Sequence, residues 1–233
     1  MNTYILIPHY NRWDLTHARL FELYRHCREQ ITEVIVIDDC SVDNMTEGGL
    51  RWWKENFSSK GFLVSSVVTP ENLNFLGACN FGLQKVLGKA QDGDLITLLS
   101  NDVRIMTDFV SQMTDIIGQR GNKLLLGGIL YSHDTGWNRF GDRIFPYLEG
   151  WLLGATAETW KVLGCGFDDR YSLSDFEDVD LSTTAVDMGY ELVPLNNPGL
   201  HHMGGQSIQY GDERMTRTKK NRIKFSEKWI DSR

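Results

Sequence analysis

The sequence predicts an α/β domain with a mostly parallel sheet and helices on both faces. Short apolar runs of strand character alternate with segments of helical periodicity. Polar residues gather just after the runs, where open α/β sheets hold their ligands. Size and composition agree. The 233 residues suffice for one domain with a real core, and the 41% apolar residues become about half once the 22 glycines are added, the ordinary globular range.

Tyr4-Ile-Leu-Ile7, stopped by Pro8, is the first predicted strand. Leu20, Leu23, Tyr24, Cys27 and Ile31 follow at helical spacing. Val34-Ile-Val-Ile37 is a second buried strand, rich in β-branched residues and closed by Asp38-Asp39. Leu63 to Val68 reads as a third. Leu83, Val86, Leu87 and Ala90 form the next helical stripe, and Leu95 to Leu99 a fourth strand ending in Ser100-Asn101-Asp102. Phe109, Met113 and Ile116 mark another helix. From 124 to 205 the pattern is less regular, with a strand-like run from Leu124 to Leu130 and a helix patterned by Leu181, Ala185 and Met188.

The net charge of −7 is uneven. Residues 212–233 carry eight Lys/Arg against four Asp/Glu, a local +4, so the other 211 residues sum to −11. An acidic body with a basic tail suits a protein that collects carboxylates at a metal site better than a general nucleic-acid binder. No run approaches the roughly 18 apolar residues of a membrane span. Cys27, Cys40, Cys79 and Cys165 are far apart, which speaks against a disulfide framework and for the cytoplasm.

Common phosphate-binding loops are missing. No strand leads into GxGxxG, and Gly77 and Gly82 have Walker spacing but are followed by Leu83-Gln84. Strand-end carboxylates remain, the type that holds Mg²⁺ or Mn²⁺ on a diphosphate. Asp102 is the best candidate, although such an aspartate also serves as a cap. Glu177, Asp178 and Asp180, in Ser174-Asp-Phe-Glu-Asp-Val-Asp-Leu181, suit either a general base or the acidic first turn of a helix. His201-His202-Met-Gly-Gly-Gln-Ser207 offers an imidazole to a metal shell, or a hydrogen-bonded structural pair.

In order, these pieces resemble an inverting family 2 glycosyltransferase of the GT-A fold, a Rossmann-like single domain. Ile5-Leu-Ile-Pro-His-Tyr-Asn11 is similar to the opening strand and its turn. Val34-Ile-Val-Ile-Asp-Asp-Cys-Ser-Val-Asp43 is similar to the second strand with its Asp-Asp-x-Ser-x-Asp motif. Asn72-Leu-Asn-Phe-Leu-Gly-Ala-Cys-Asn-Phe-Gly-Leu83 resembles the following glycine-containing segment, and Leu98-Leu-Ser-Asn-Asp-Val103 the DxD metal motif. Gly164-Cys-Gly-Phe-Asp-Asp-Arg-Tyr171 with Phe176-Glu-Asp-Val-Asp-Leu181 resembles the acceptor-side segment and ED motif. Lys220-Asn-Arg-Ile223 resembles the end of rhamnosyltransferase-like members.

The resemblance implies one sugar moved from a nucleotide-sugar donor to a hydroxyl of a glycan or lipid-linked glycan. It implies a domain over 1–210, with a nucleotide-sugar half over about 1–103 and an acceptor half over about 104–210, and a basic helical tail over 211–233. Pro8, Tyr10, Asn11, Asp39, Gly77, Asn80 and Asn101 would bind the nucleotide. Asp102 would hold Mn²⁺ or Mg²⁺ with His202 or His201, His202 being favoured. Asp178 would be the general base, with Glu177 and Trp151 on the acceptor side. Trp137 is the other aromatic that could stack on a sugar.

Three positions depart from the pattern: Ser100 for the first DxD carboxylate, Asn74 for a glycine, and Ser182-Thr183-Thr184 for an arginine-bearing stretch. Ser100 motivates one alternative, a nucleotide-sugar-binding protein without catalysis. The tail motivates another, a glycosyltransferase acting on hydroxylated bases in nucleic acid. Arg214 to Lys224 has six basic residues and no acid. It reads as a helix packed by Phe225 and Trp229 with solvated charges, or as a contact to nucleic acid or a membrane face.

Overall fold

Apolar residues run unbroken from Tyr4 to Pro8, so the segment can be buried on both faces, and all seven residues of the strand Thr3–His9 (β1) are buried. The computed structural model describes residues 1–171, 175–204 and 211–231. After β1 come α1 (Trp13–His26), β2 (Glu33–Asp38), α2 (Thr46–Phe57), β3 (Val64–Val68), α3 (Asn74–Leu87) and β4 (Leu95–Leu99). The chain continues through β5 (Val103–Ile105), α4 (Phe109–Arg120), β6 (Leu124–Gly127) and three short pairing segments, β7 (Leu130–Tyr131), β8 (Arg139–Phe140) and β9 (Arg143–Ile144). It ends with β10 (Tyr147–Leu148), β11 (Leu152–Thr156), α5 (Ala157–Val162), α6 (Glu177–Asp187), β12 (Glu191–Pro194), β13 (Leu200–His202) and α7 (Asp212–Trp229).

Seven strands form the main sheet in the order β12-β6-β11-β4-β1-β2-β3. β1, β2, β3 and β4 run parallel to one another, as β12 does to β6. β11 is inserted antiparallel to both β4 and β6. Alternate strand residues feed two cores. Tyr4, Leu6, Ile35 and Ile37 pack with α3, α6 and α7; Ile5, Ile7, Val34 and Val36 pack with α1, α2 and α4. On the first face α3 lies so close that a Cβ on Gly82 would stand 2.2 Å from Ile37.

The predicted strands coincide with β1 to β4 within a few residues. The helix α2 was not marked by periodicity, because Gly48 and Gly49 weaken it locally. It forms because Trp53 and Phe57 are buried against α1. α3 starts earlier than its stripe predicts. Asn74 opens it at φ 60, a left-handed conformation asparagine tolerates better than most residues, which is how it can replace glycine.

The tail helix α7 packs Phe225 and Trp229 into the first core, as expected. Its charges are less solvated than expected. Arg214 and Arg217 pair with Asp175, and Lys228 with Asp168 and Asp180. Arg222 donates to the carbonyls of Trp137 and Arg139, and Lys224 to that of Arg170. Among the described residues no helix is long and apolar enough to cross a membrane.

Candidate active site

The carboxyl ends of β1, β2 and β4 open on a cleft of about 1330 Å³. At the end of β1, Pro8 is buried and Tyr10 is exposed at the rim. Asn11 turns the chain at φ 54 and ties two loops together: its N–H donates to Ser41 Oγ, and its Oδ1 accepts from the Val42 N–H. His9 beneath them is buried between the Thr16 and Thr46 hydroxyls, and burial pushes its imidazole toward the neutral form. Asp39 is buried at the end of β2; its Oδ1 accepts from Leu73 N (2.7 Å) and Thr69 Oγ1 (3.0 Å). Asn101 also lines the cleft and donates to Thr16 Oγ1.

Two of the predicted residues lie away from this lining. Gly77 faces Leu73, whose Cβ would stand 2.7 Å from a Cβ added there. Asn80 clasps the backbone of Phe167, donating to its carbonyl and accepting from its N–H at 2.8 Å each. Both are packing and bracing positions of α3.

Beyond β4, the short pair of β5 and β13 sets Val103 opposite His202 and Arg104 opposite His201. Buried Arg19 holds this corner by donating to the Val103 carbonyl, while Glu22 accepts from Ile105 N. The pairing sends His202 into the cleft, its Nε2 3.3 Å from Asp102 Oδ1. His201 is exposed and does not line the cleft. Ser100 Oγ donates to Asp102 Oδ1 at 2.5 Å, so the residue in the missing carboxylate's place orients the remaining one. Burial works to raise the Asp102 pKa, but the contacts from His202 and Ser100 outweigh it and hold the carboxyl ionised, below its usual range.

Glu149 completes the corner and was not marked in the sequence. It accepts from Trp151 Nε1 (2.8 Å), and its Oε1 stands 3.8 Å behind His202 Nδ1. Trp151 is 4% exposed and stacks on the His202 ring at 5.5 Å. A Cβ on Gly128 would fall 1.9 Å from that indole, so glycine is required beneath it. Among the described residues no group of three His, Cys, Asp or Glu side chains forms a complete metal cage. An ionised carboxylate beside an imidazole backed by a second carboxylate is nonetheless a fitting donor pair for a divalent cation, with its remaining positions left to phosphate oxygens and water.

Facing this corner is the first turn of α6. Asp175 and Phe176, just before it, stand at φ 74 and 79, each costing about 1–3 kcal/mol. The helix α7 holds them there. Asp175 accepts from Arg214 (2.8 Å) and Thr218 Oγ1 (2.8 Å), and its carbonyl accepts from Asn221 Nδ2 (2.9 Å). Asp180 belongs to the body, accepting from Tyr171 Oη, Trp229 Nε1 and Lys228 Nζ.

Glu177 and Asp178 line the cleft. Asp178 accepts from Gly150 N (3.1 Å) and Val179 N (2.8 Å). Burial pushes its carboxyl up to about 7, those two bonds oppose the shift, and the charges of Glu149 and Asp175 add to it. Glu177 is likewise pushed up by burial and by Asp178, and its Oε2 has no hydrogen-bond partner among the described residues. Two adjacent buried carboxyls, both raised, are the resulting arrangement. Ser174 and Gly205 to Ser207 lie outside the described residues.

The family model for Glycosyl transferase family 2 matches residues 4–171. No curated protein matches the chain. Among solved structures, GalNAc-T7 with UDP, GalNAc and Mn²⁺ aligns at a TM-score of 0.73 and 15% identity, over 99% of this chain and 48% of that one. The mannosyltransferase PcManGT from Pyrobaculum calidifontis, with GDP-Man and Mn²⁺, aligns at 0.62 and 19% identity, over 83% of this chain and 54% of that one. Residues 1–349 of S. aureus TarS with UDP align at 0.61 and 16%, over 86% and 60%. The chain thus spans about half to three-fifths of these proteins, and at such identities the likeness is one of fold.

Proposed function

The chain belongs to glycosyl transferase family 2, and from that premise we propose that it moves a single sugar from a nucleoside-diphosphate sugar to a hydroxyl acceptor with inversion. The carrying observation is the pair of carboxyls in one cleft whose surroundings separate them: Asp102 held ionised, Asp178 raised to about 7. Such separation assigns different roles to chemically equal groups.

Pro8, Tyr10, Asn11 and Asp39 frame the base, and Asn101 belongs to the same wall. Asp102 and His202 would hold Mn²⁺ or Mg²⁺, with Glu149 orienting the imidazole, and the cation would offset the charge of the departing diphosphate. Asp178 takes the proton from the acceptor hydroxyl as its oxygen bonds to the anomeric carbon. The bond from that carbon to the diphosphate breaks, and its electron pair leaves with the nucleotide. A base with a pKa near the working pH is well matched to that transfer. Glu177, raised by burial and lining the same cleft, stands beside Asp178 on the acceptor side. Trp151 acts on the acceptor side by fixing His202 and Glu149.

Eight carboxylates line the cleft against the three arginines Arg12, Arg214 and Arg217. That balance favours a glycan or lipid-linked glycan presenting a neutral sugar at the reacting end, and disfavours transfer to bases of nucleic acid. The rhamnosyltransferase-like branch rests on Lys220-Asn-Arg-Ile223 within α7.

Asp178→Asn tests the reading. It is expected to lower kcat by roughly 10²–10⁴-fold while leaving the nucleotide's Kd unchanged, and wild-type kcat/KM is expected to rise with pH through about 7. Full activity in the variant would remove Asp178 as base. Absence of turnover by the wild type across a donor and acceptor panel would favour the non-catalytic binding protein.

A further inference from the structure

A second cavity, of about 680 Å³, lies at the other end of α1. The catalytic cleft includes Arg12, just before that helix, and this cavity begins at Phe21, about 14 Å along the axis. No residue lines both. Arg25 and His26 come from α1, Lys60 from the turn after α2, and Arg104 from the middle of β5. Tyr24 and Phe57, packed edge to face at 4.8 Å, supply apolar surface.

Arg25, Lys60 and Arg104 come from three different elements, and none has a carboxylate within ion-pair distance among the described residues. The one acid lining the cavity, Glu22, is occupied by Arg19 and the Ile105 N–H. Aromatic faces position Lys60 and the neighbouring Arg28. Lys60 Nζ stands 4.5 Å from the Phe57 ring centre, and Arg28, which also pairs with Glu29, stands 5.1 Å from that of Tyr24. A ring holds a cation without cancelling its charge. In a chain of net charge −7, three elements thus bring uncompensated cations to one concavity.

We propose that this cavity is a second binding site, separate from the catalytic cleft, that takes a phosphate-bearing group. A lone carboxylate would leave most of these cations uncompensated. A phosphate monoester or diphosphate carries more charge and offers several acceptor oxygens to guanidinium forks. The aromatic floor accommodates the apolar or ring portion attached to it. The phosphate can belong to a soluble compound or to a lipid headgroup, and both have the same chemistry at the site.

Calorimetric titration with inorganic pyrophosphate, at low ionic strength and with EDTA present to silence the metal site, tests the proposal. Co-flotation with vesicles containing phosphatidic acid, a lipid phosphate monoester, is the second arm, with phosphatidylcholine alone as the control of no net charge. Arg25→Ala with Arg104→Ala is expected to weaken pyrophosphate roughly tenfold or more, the scale of a lost charge-assisted hydrogen bond, and added salt to weaken it further. Lys60→Ala is expected to act in the same direction. These side chains are exposed, so the thermal midpoint and the Mn²⁺-dependent response to nucleotide should be unchanged. Pyrophosphate binding without vesicle binding assigns a soluble phosphate compound; vesicle binding lost in the same variants assigns a headgroup. Binding of neither probe, or binding indifferent to the substitutions, overturns the proposal.

Discussion

Asp102 and Asp178 line one cleft, yet their surroundings push their carboxyls in opposite directions. Asp102 receives contacts from Ser100 and His202, while Asp178 is walled in by Gly150 and the first turn of α6 and faces the charges of Glu149 and Asp175. The second environment has a consequence for stability. Between its ordinary value of 3.8 and about 7, Asp178 holds its proton more tightly in the folded protein than in the unfolded chain. Stability therefore falls as pH rises through that window. Glu177, raised in the same direction, steepens the fall. Asp178→Asn is thus expected to raise the thermal midpoint above about pH 7 and to change it little below about pH 4. Melting curves across that range check this. A gain of equal size at both ends, or a loss at high pH, would mean that burial of this carboxyl is not the cause.

The element that holds the reacting turn is α7. Asp175 and Phe176 adopt left-handed conformations that a bulky residue avoids, and α7 secures them with Arg214, Thr218 and Asn221. Its anchor is Phe225, fully buried against Phe140, Phe145 and Phe176. Phe225→Ala is expected to cost about 3–5 kcal/mol in urea unfolding, with activity failing at a lower temperature as the turn loosens. A loss below about 1 kcal/mol would make α7 an appendage rather than a brace. How legible these elements are in the sequence depends on their burial. β1, β2 and β4 stand out because both faces are covered, so they are uniform apolar runs. β11 is buried on both faces too, yet the sequence does not mark it, since Gly154 interrupts the apolar run of Leu152–Thr156. The site follows the same division. Asp39 and Asp102 follow legible strands, whereas Glu149 sits between two short irregular segments, beside a tryptophan, with no period to mark it. Arg214 and Arg217 were visible as charge, but their partner Asp175 lies 39 residues from Arg214 along the chain, a pairing that only the fold supplies.

At the scale of the whole molecule, charge is segregated. The catalytic cleft gathers eight carboxylates, two of its three arginines are already paired with Asp175, and three cations without a carboxylate partner, Arg25, Lys60 and Arg104, line the cavity at the far end of α1. A diphosphate entering the cleft alone meets a negative potential, which disfavours binding. A divalent cation at Asp102 reverses that balance locally, so nucleotide and metal should bind as a linked pair. The thermal midpoint is then expected to rise only when a matching nucleoside diphosphate and Mn²⁺ are both present. At a hundred times the dissociation constant the gain is about 2.7 kcal/mol, or roughly 5–10 °C for a chain of this size. Asp102→Asn should abolish the metal-dependent part, and Arg25→Ala should leave it intact. Equal rises with and without Mn²⁺ would assign the diphosphate to Arg214 and Arg217 instead. The cation would then have no part in donor binding, and Ser100 would be one half of a metal motif that this chain no longer uses.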